Sequence, residues 1–320
     1  MILTLTPNPS IDFTMALPED LTRGAVHRVS TVSNVAGGKG INVAVATHRA
    51  QQPTMALFPA PTDDTFIRLI SSTGLNFEHI HNEGAVRTNT TIMEIDGTTT
   101  KLNGPGAALS PHSRVRVEKR LADLAVDADW VVLAGSLPPE APADWYTQLT
   151  AIVREANPKA QVAIDTSDAP LINVAQHLDT AAPDLMKPNG FELGVLAGID
   201  GHMLEQQAAA GHYQAIISAA QVLCDRGVEY VLVTLGAAGA VLVHQDQAWA
   251  AKAPAIDVLS TVGAGDCSLA GFILGQTKNL GPAGALRLAV AYGTAATTLP
   301  GTQIPFPEIV HPDQVGIVAL

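Results

Sequence analysis

Apolar residues in this chain gather into short solid runs rather than alternating or heptad patterns. Ile2–Leu5, Trp130–Ala134 and Tyr230–Thr234 are unbroken apolar or β-branched segments, residues 55–58 and 162–164 are further examples, and residues 77–80 also read as a strand. Runs of this length without polar alternation mark strands buried on both faces, as in a parallel sheet covered by helices. Between them lie segments of helical composition at residues 43–46, 63–73, 114–124, 144–156, 171–177 and 215–226. Ser110-Pro111 supplies an N-cap followed by a proline at the first helical position. The strand-then-helix order predicts a mostly parallel sheet with helices on both faces. Its polar strand ends are then collected on one ligand-binding edge.

Two stretches break that order. Residues 87–95 and 98–102 flank Asp96-Gly97, a turn signal between β-prone runs, and predict a hairpin. Residues 13–35 carry Thr and Val in irregular alternation and predict short strands outside the main sheet. Both stretches are assigned to a small separate sheet.

Composition narrows the classes of function. Hydrophobic residues make up 47% of the chain and aromatics 4%, so the core is built from Ala, Val, Leu and Ile. The net charge of -12 argues against a nucleic-acid or anionic-membrane surface, so an anionic substrate needs local positive groups. Cys224 and Cys267 form neither a CxxC pair nor a disulfide framework, which makes a reducing cytoplasm the expected location. Residues 1–5 lack a basic flank and meet Pro7, unlike a signal peptide, and the apolar run at 231–243 is too short for a membrane span.

The candidate chemistry centres on Ser260-Thr261-Val262-Gly263-Ala264-Gly265-Asp266, which runs into the apolar stretch 269–274. Gly263, Ala264 and Gly265 let the backbone turn tightly with its N–H groups exposed at a helix N-terminus, forming an anion hole. Asp266 falls near the first turn, where a carboxylate can accept a proton from a hydroxyl. The combination suits phosphoryl transfer. The alternative is a Gly-rich strand-to-helix connection capped by an Asp. Upstream, Gly37-Gly38-Lys39-Gly40-Ile41-Asn42 allows close ligand approach, and Asn42 offers a donor and an acceptor to a polyol. Lys39 is followed by Gly40 rather than Ser or Thr, so this is no Walker A loop, and GxGxxG is missing after the first strand. A dinucleotide fold, and with it a nicotinamide dehydrogenase, is disfavoured. Asp12, Ser136, Asn189, Thr234 and Asp266 are expected to converge on the ligand edge.

Six segments in this order resemble the ribokinase-like sugar kinases of the phosphofructokinase-B type over nearly the whole chain. They are Asn8-Pro9-Ser10-Ile11-Asp12, Gly37 to Asn42, Gly135-Ser136-Leu137-Pro138-Pro139, Lys187-Pro188-Asn189 with Glu192, Thr234-Leu235-Gly236 with Gly239, and Thr261 to Asp266. The resemblance implies a three-layer α/β/α domain with a small β-sheet lid. The core is expected at 1–12, 36–86 and 104–320, and the lid at 13–35 and 87–103. It implies Asp266 as general base, with Gly263, Ala264 and Gly265 as the hole for the γ-phosphoryl. Asp12, Gly38, Asn42 and Ser136 would contact the sugar, and Arg87, with Arg28 or Lys39, its phosphate. Lys187, Asn189, Thr234, Gly236 and Gly239 would serve ATP, and Glu192 would support Mg²⁺ through water. Glu140 and Asp168 stand where the family pattern has glycine.

Within the family, Arg87-Thr88-Asn89 and Asn103-Gly104-Pro105-Gly106 resemble the branch acting on ketohexose phosphates. The implied reaction is phosphorylation of fructose 1-phosphate at O6, with tagatose 6-phosphate and fructose 6-phosphate as runners-up. A non-catalytic sugar-phosphate-binding protein is the alternative of a different class, although it would have no need of Asp266 beside an anion hole. The resemblance also implies a homodimer formed through the lid.

Overall fold

A computed structural model describes residues 1–320. The strands are β1 (Ile2–Leu5), β2 (Ser10–Ala16), β3 (Thr31–Gly37), β4 (Thr54–Pro59), β5 (Asn76–Ile80), β6 (Arg87–Met93) and β7 (Thr99–Asn103). They continue as β8 (Trp130–Ala134), β9 (Gln161–Asp165), β10 (Leu185–Met186), β11 (Tyr230–Thr234), β12 (Ala240–His244), β13 (Gln247–Lys252) and β14 (Gly316–Ala319). The helices are α1 (Lys39–Arg49), α2 (Thr65–Ser71), α3 (Pro111–Ala125), α4 (Trp145–Ala156), α5 (Asp168–Gln176) and α6 (Leu178–Ala181). After them come α7 (Gly190–Ala197), α8 (Gly201–Ala209), α9 (Gln214–Cys224), α10 (Ala264–Thr277) and α11 (Gly281–Thr297).

The large sheet has the order β14-β13-β12-β11-β10-β9-β8-β1-β4-β5. It is parallel from β5 through β11 and antiparallel beyond. Successive side chains of a strand point to opposite faces, and here both faces are covered. Ile2, Trp130 and Val132 pack with α1, α2, α10 and α11, whereas Leu3, Val131 and Leu133 pack with α3, α4, α5 and α9. This double burial explains the solid apolar runs in the sequence. The order reverses between β1 and β8, so the crevice outside their carboxyl ends is the expected ligand site of an open α/β sheet.

The second sheet has the order β3-β2-β6-β7 and contains the hairpin predicted around Asp96-Gly97. Its limits differ from the expected 13–35. Pro7 and Pro9 end pairing after Leu5, and the chain becomes extended again at Ser10, which pairs with both Gly37 and Arg87. Asp12 therefore lies on a strand of the small sheet, not at the carboxyl end of β1, and β3 carries residues 36–37 into that sheet.

Three strands escaped the sequence pattern. The apolar run at 231–243 folds back on itself as β11 and β12 around the short helical turn Gly236–Ala238, and β13 and β14 extend this edge. Gly239 (φ 92) permits the return, because a Cβ there would lie 2.0 Å from the Ala251 carbonyl oxygen.

Glu140 (φ 67) and Asp168 (φ 56), both at positions of family glycines, occupy the left-handed region. That conformation costs an L-residue roughly 1–2 kcal/mol, while a new glycine gives back about 0.4–1 kcal/mol through the unfolded chain. Glu140→Gly is therefore expected to stabilise the exposed turn by up to about 1 kcal/mol in denaturant unfolding. A loss of stability would show that the Glu140 side chain makes a compensating interaction.

Candidate active site

Helix α10 begins where Gly263, at φ 78, turns the backbone into Ala264, and its apolar body from Cys267 to Gly275 is buried. First-turn N–H groups of a helix lack partners within it; the Ala264 N–H donates to the Thr261 carbonyl at 3.4 Å, and those of Gly263 and Gly265 are left as donors. Asp266 sits in this first turn, buried, and its Oδ2 accepts a 2.7 Å hydrogen bond from Asn42 Nδ2 on α1. Burial raises the Asp266 pKa to about 6, with Lys39 pulling it down and Asp165 pushing it up. A carboxyl held near neutrality in this way suits a general base.

Beside it lies an ionic cluster. Lys39 Nζ donates to Asp165 Oδ1 at 2.7 Å. Lys187 Nζ stands 3.1 Å from Asp165 Oδ2, at an angle poor for a hydrogen bond. Burial disfavours the Lys39 ammonium, but Asp165 and Asp266 outweigh it and raise its pKa above the usual lysine value. Burial likewise opposes ionisation of Asp165, and the two lysines overcome it and hold that carboxyl below its usual range. Lys187 also borders the anion hole, since its Nζ lies 3.3 Å from the point a Gly265 Cβ would occupy.

On the small-sheet side, Asp12 Oδ1 accepts from Ser10 Oγ at 2.7 Å and from Asn89 Nδ2 at 3.2 Å. Burial raises the Asp12 pKa against these two hydrogen bonds and the nearby Arg87. Gly37 is essential to this arrangement, because a Cβ there would lie 2.3 Å from Asp12 Oδ2. Arg87 Nη1 donates to the Gly104 carbonyl at 3.2 Å, but its Nε is buried without a partner. Burial lowers the Arg87 pKa while Asp12 raises it. Asn8 Nδ2 donates to Ser136 Oγ at 3.3 Å across the β1–β8 crevice, and Gly38 (φ 114) turns the chain into α1.

On the far side, Asn189 pairs with Thr234 in an isolated parallel bridge, and Gly236 (φ 54) opens the turn after β11. Asn189 and Glu192 form a reciprocal capping box. Glu192 N–H donates to Asn189 Oδ1 and Asn189 N–H donates to Glu192 Oε2, each at 2.8 Å. No group of three His, Cys, Asp or Glu side chains forms a metal cage. Glu192 keeps its other oxygen and lies near enough to Lys39 to influence its charge. A single carboxylate acting through water fits Mg²⁺, which retains several waters and needs few protein ligands.

Asp266, Asn42, Lys39 and Lys187 are thus brought into direct proximity, Asp12 and Arg87 into a second group, and Asn8 ties Ser136 to the crevice between β1 and β8. Two of the expected sugar-phosphate residues lie outside the group of Asp12 and Arg87. Lys39, expected at the sugar phosphate, is tied to Asp165 and faces Asp266, because α1 points its first turn at the carboxyl end of β9. Arg28 lies on the exposed loop between β2 and β3, outside both groups. Sequence reasoning gave no role to Asp165, and none to Asn89 beyond its place in Arg87-Thr88-Asn89. The signal for Asp165 was present as a carboxylate ending a buried strand on the ligand edge; Asn89 becomes meaningful only through the register that sets it opposite Asp12.

The pfkB family carbohydrate kinase model matches residues 6–309. The 1-phosphofructokinase of Rhodobacter capsulatus is 38% identical over 311 residues, covering 96% of this chain and 93% of that protein. The 1-phosphofructokinase of Xanthomonas campestris is 38% identical over 273 residues, covering 84% and 82% respectively. The crystal structure of phosphofructokinase-2 from Escherichia coli in complex with substrates and products superposes with a TM-score of 0.86 at 26% identity, covering 97% of this chain and 96% of that one. The family match takes in the whole small sheet, the large sheet apart from β1 and β14, and the start of α10, and on that footing the chain belongs to the pfkB family of carbohydrate kinases.

Proposed function

We propose that this kinase transfers the γ-phosphoryl group of ATP to O6 of fructose 1-phosphate, giving fructose 1,6-bisphosphate and ADP. The observation that carries the reading is the buried Asp266 carboxylate in the first turn of α10, beside free backbone donors and two lysines. The unpartnered Arg87 Nε next to Asp12 supports a substrate that is both polyol and phosphate. The names of the relatives support fructose 1-phosphate in particular.

Asp266 accepts the O6 proton as the O6–P bond forms and the bond from phosphorus to the leaving ADP oxygen breaks. Asn42 fixes the orientation of the carboxylate. The N–H groups of Gly263 and Gly265, with Lys39 and Lys187, face the charge on the transferring group. Asp12, Asn42 and Ser136 hold sugar hydroxyls, and Thr234, Gly236 and Gly239 shape the nucleotide side. Held through water by Glu192, Mg²⁺ would neutralise phosphate charge. Closure of the small sheet over the sugar excludes water that would otherwise compete as acceptor. Phosphorus NMR of the product tests the regiochemistry. The expected product has phosphates on O1 and O6, and one phosphorylated at any other pair would refute the pose.

We further propose a homodimer built through the small sheet, whose side of the molecule exposes Val26 at 88%, Val32, Ile95 and Leu102. Sedimentation velocity at micromolar concentration is expected to give a dimer, and a monomer would remove the proposal. The two unpaired cysteines suit a reducing cytoplasm.

A further inference from the structure

We propose that Asp165 is a positioning residue that clamps the Lys39 and Lys187 ammonium groups at the mouth of the α10 anion hole, setting both toward the transferring phosphoryl group. This rests on the kinase reading above. Asp165 ends β9 in the middle of the large sheet, in register with Ala134, and its carbonyl accepts the Gly135 N–H at 2.9 Å. The backbone beneath its carboxylate is therefore fixed by neighbouring strands. Its side chain is 0% exposed and cannot itself meet a ligand, so it acts through its partners.

Those partners approach from different elements. Lys39 comes from the first turn of α1 and Lys187 from the segment leading into α7, and each reaches a different carboxylate oxygen. Lys187 is 4% exposed, yet Asp165 is the only carboxylate within ion-pair distance of it. An ammonium buried this deeply without a counter-ion would cost several kcal/mol. Asp165 removes that cost while leaving the cluster one positive charge in excess, apart from Asp266. The surplus lies where an incoming phosphoryl oxygen would meet Lys187 beside Gly265.

Without the Asp165 charge, the two ammonium groups repel each other and turn to the remaining carboxylate, Asp266. The groups acting on Asp266 are Lys39 and Asn42 from α1, Asp165 from β9 and Lys187 from the segment before α7, while Glu192 of α7 acts on Lys39. Two consequences follow for Asp165→Asn. The lysines lose their set positions, which is expected to lower kcat about tenfold to a hundredfold, the scale of a small misplacement at a reacting centre. The acid limb of the kcat/KM profile is expected to move to lower pH, because a carboxylate that repelled Asp266 is gone. KM for the sugar phosphate, governed by Asp12 and Arg87, is expected to stay within about twofold.

The test is steady-state kinetics of wild type, Asp165→Asn, Lys187→Met and the double variant across pH, with ADP release as the signal. Wild-type turnover on no sugar phosphate would defeat the kinase reading itself. Given an active wild type, a fall in kcat with a downward shift of the acid limb supports the clamp. An unchanged kcat, or a loss of active enzyme with the wild-type pH profile, overturns it. The double variant carries no unbalanced buried charge and serves if Asp165→Asn does not fold. Because Lys39 still loses its clamp, the kcat of the double variant is expected to fall below that of Lys187→Met, but by less than the full effect of Asp165→Asn alone. A loss in the double variant equal to the product of the two single effects overturns the proposal.

Discussion

Asp266→Asn is expected to lower kcat by roughly two to four orders of magnitude while leaving ATP binding and the fold intact, the scale of a lost general base. The geometry gives the variant a clean reading. Asn is isosteric with Asp and can still accept from Asn42 Nδ2, so the first turn of α10 keeps its contact. It cannot accept the hydroxyl proton. In the wild type, burial sets the carboxyl near pKa 6 against an ordinary value of 3.8. Turnover should therefore fall as pH drops through about 6, where the base becomes protonated, and the variant should lose that limb. Stability moves in the opposite sense. Between 3.8 and 6 the folded protein binds more protons than the unfolded chain, so stability declines as pH rises through that window. A neutral Asn escapes this cost, and thermal unfolding at pH 8 is expected at a temperature no lower than that of the wild type. Near-normal turnover would remove Asp266 from the role of base.

Arg87→Ala is expected to raise KM for the sugar phosphate about tenfold to a hundredfold with a much smaller change in kcat. A charge-assisted hydrogen bond contributes about 1.5–3 kcal/mol, and about 1.4 kcal/mol is a factor of ten in affinity. Arg87 is held on β6 by pairing with Ser10 and by the Gly104 carbonyl, which leaves its buried Nε unsatisfied. A buried donor without a partner is costly until something fills the position. A substrate phosphate lying across the guanidinium edge would do so. Arg87→Lys should recover only part of the loss, because a point charge replaces the planar fork. An unchanged KM in Arg87→Ala would mean that the phosphate binds elsewhere.

Legibility in the sequence followed how local the cause was. The hairpin from Arg87–Met93 to Thr99–Asn103 was readable because Asp96-Gly97 names its own turn, and α3 because Ser110 caps it within a few residues. The start of α10 was equally readable, since Gly263 and Asp266 lie within one turn. The place of Asp165 at a strand end was readable but its role was not, because that role depends on Lys39 and Lys187, and a carboxylate ending a strand looks the same with or without them. The pairing of Lys39 with Asp165 was hidden for the same reason. The spacing of Lys39 from the glycines was visible, but not which strand end α1 faces. The small sheet's beginning at Ser10 was hidden by the prolines, which signal where β1 stops and say nothing of how soon the chain pairs again. The antiparallel edge was hidden because a buried strand, a turn and a second buried strand read as one apolar run.

The central claim is that this cleft phosphorylates a ketohexose phosphate, and fructose 1-phosphate in particular. Its most direct test is Mg²⁺-dependent ADP release from ATP by the purified protein, with fructose 1-phosphate, fructose 6-phosphate, tagatose 6-phosphate, ribose and adenosine compared side by side. The account predicts the highest kcat/KM on fructose 1-phosphate and little turnover on ribose or adenosine, neither of which brings a phosphate to Arg87. Preference for ribose or adenosine, or no turnover on any of the five, would contradict it.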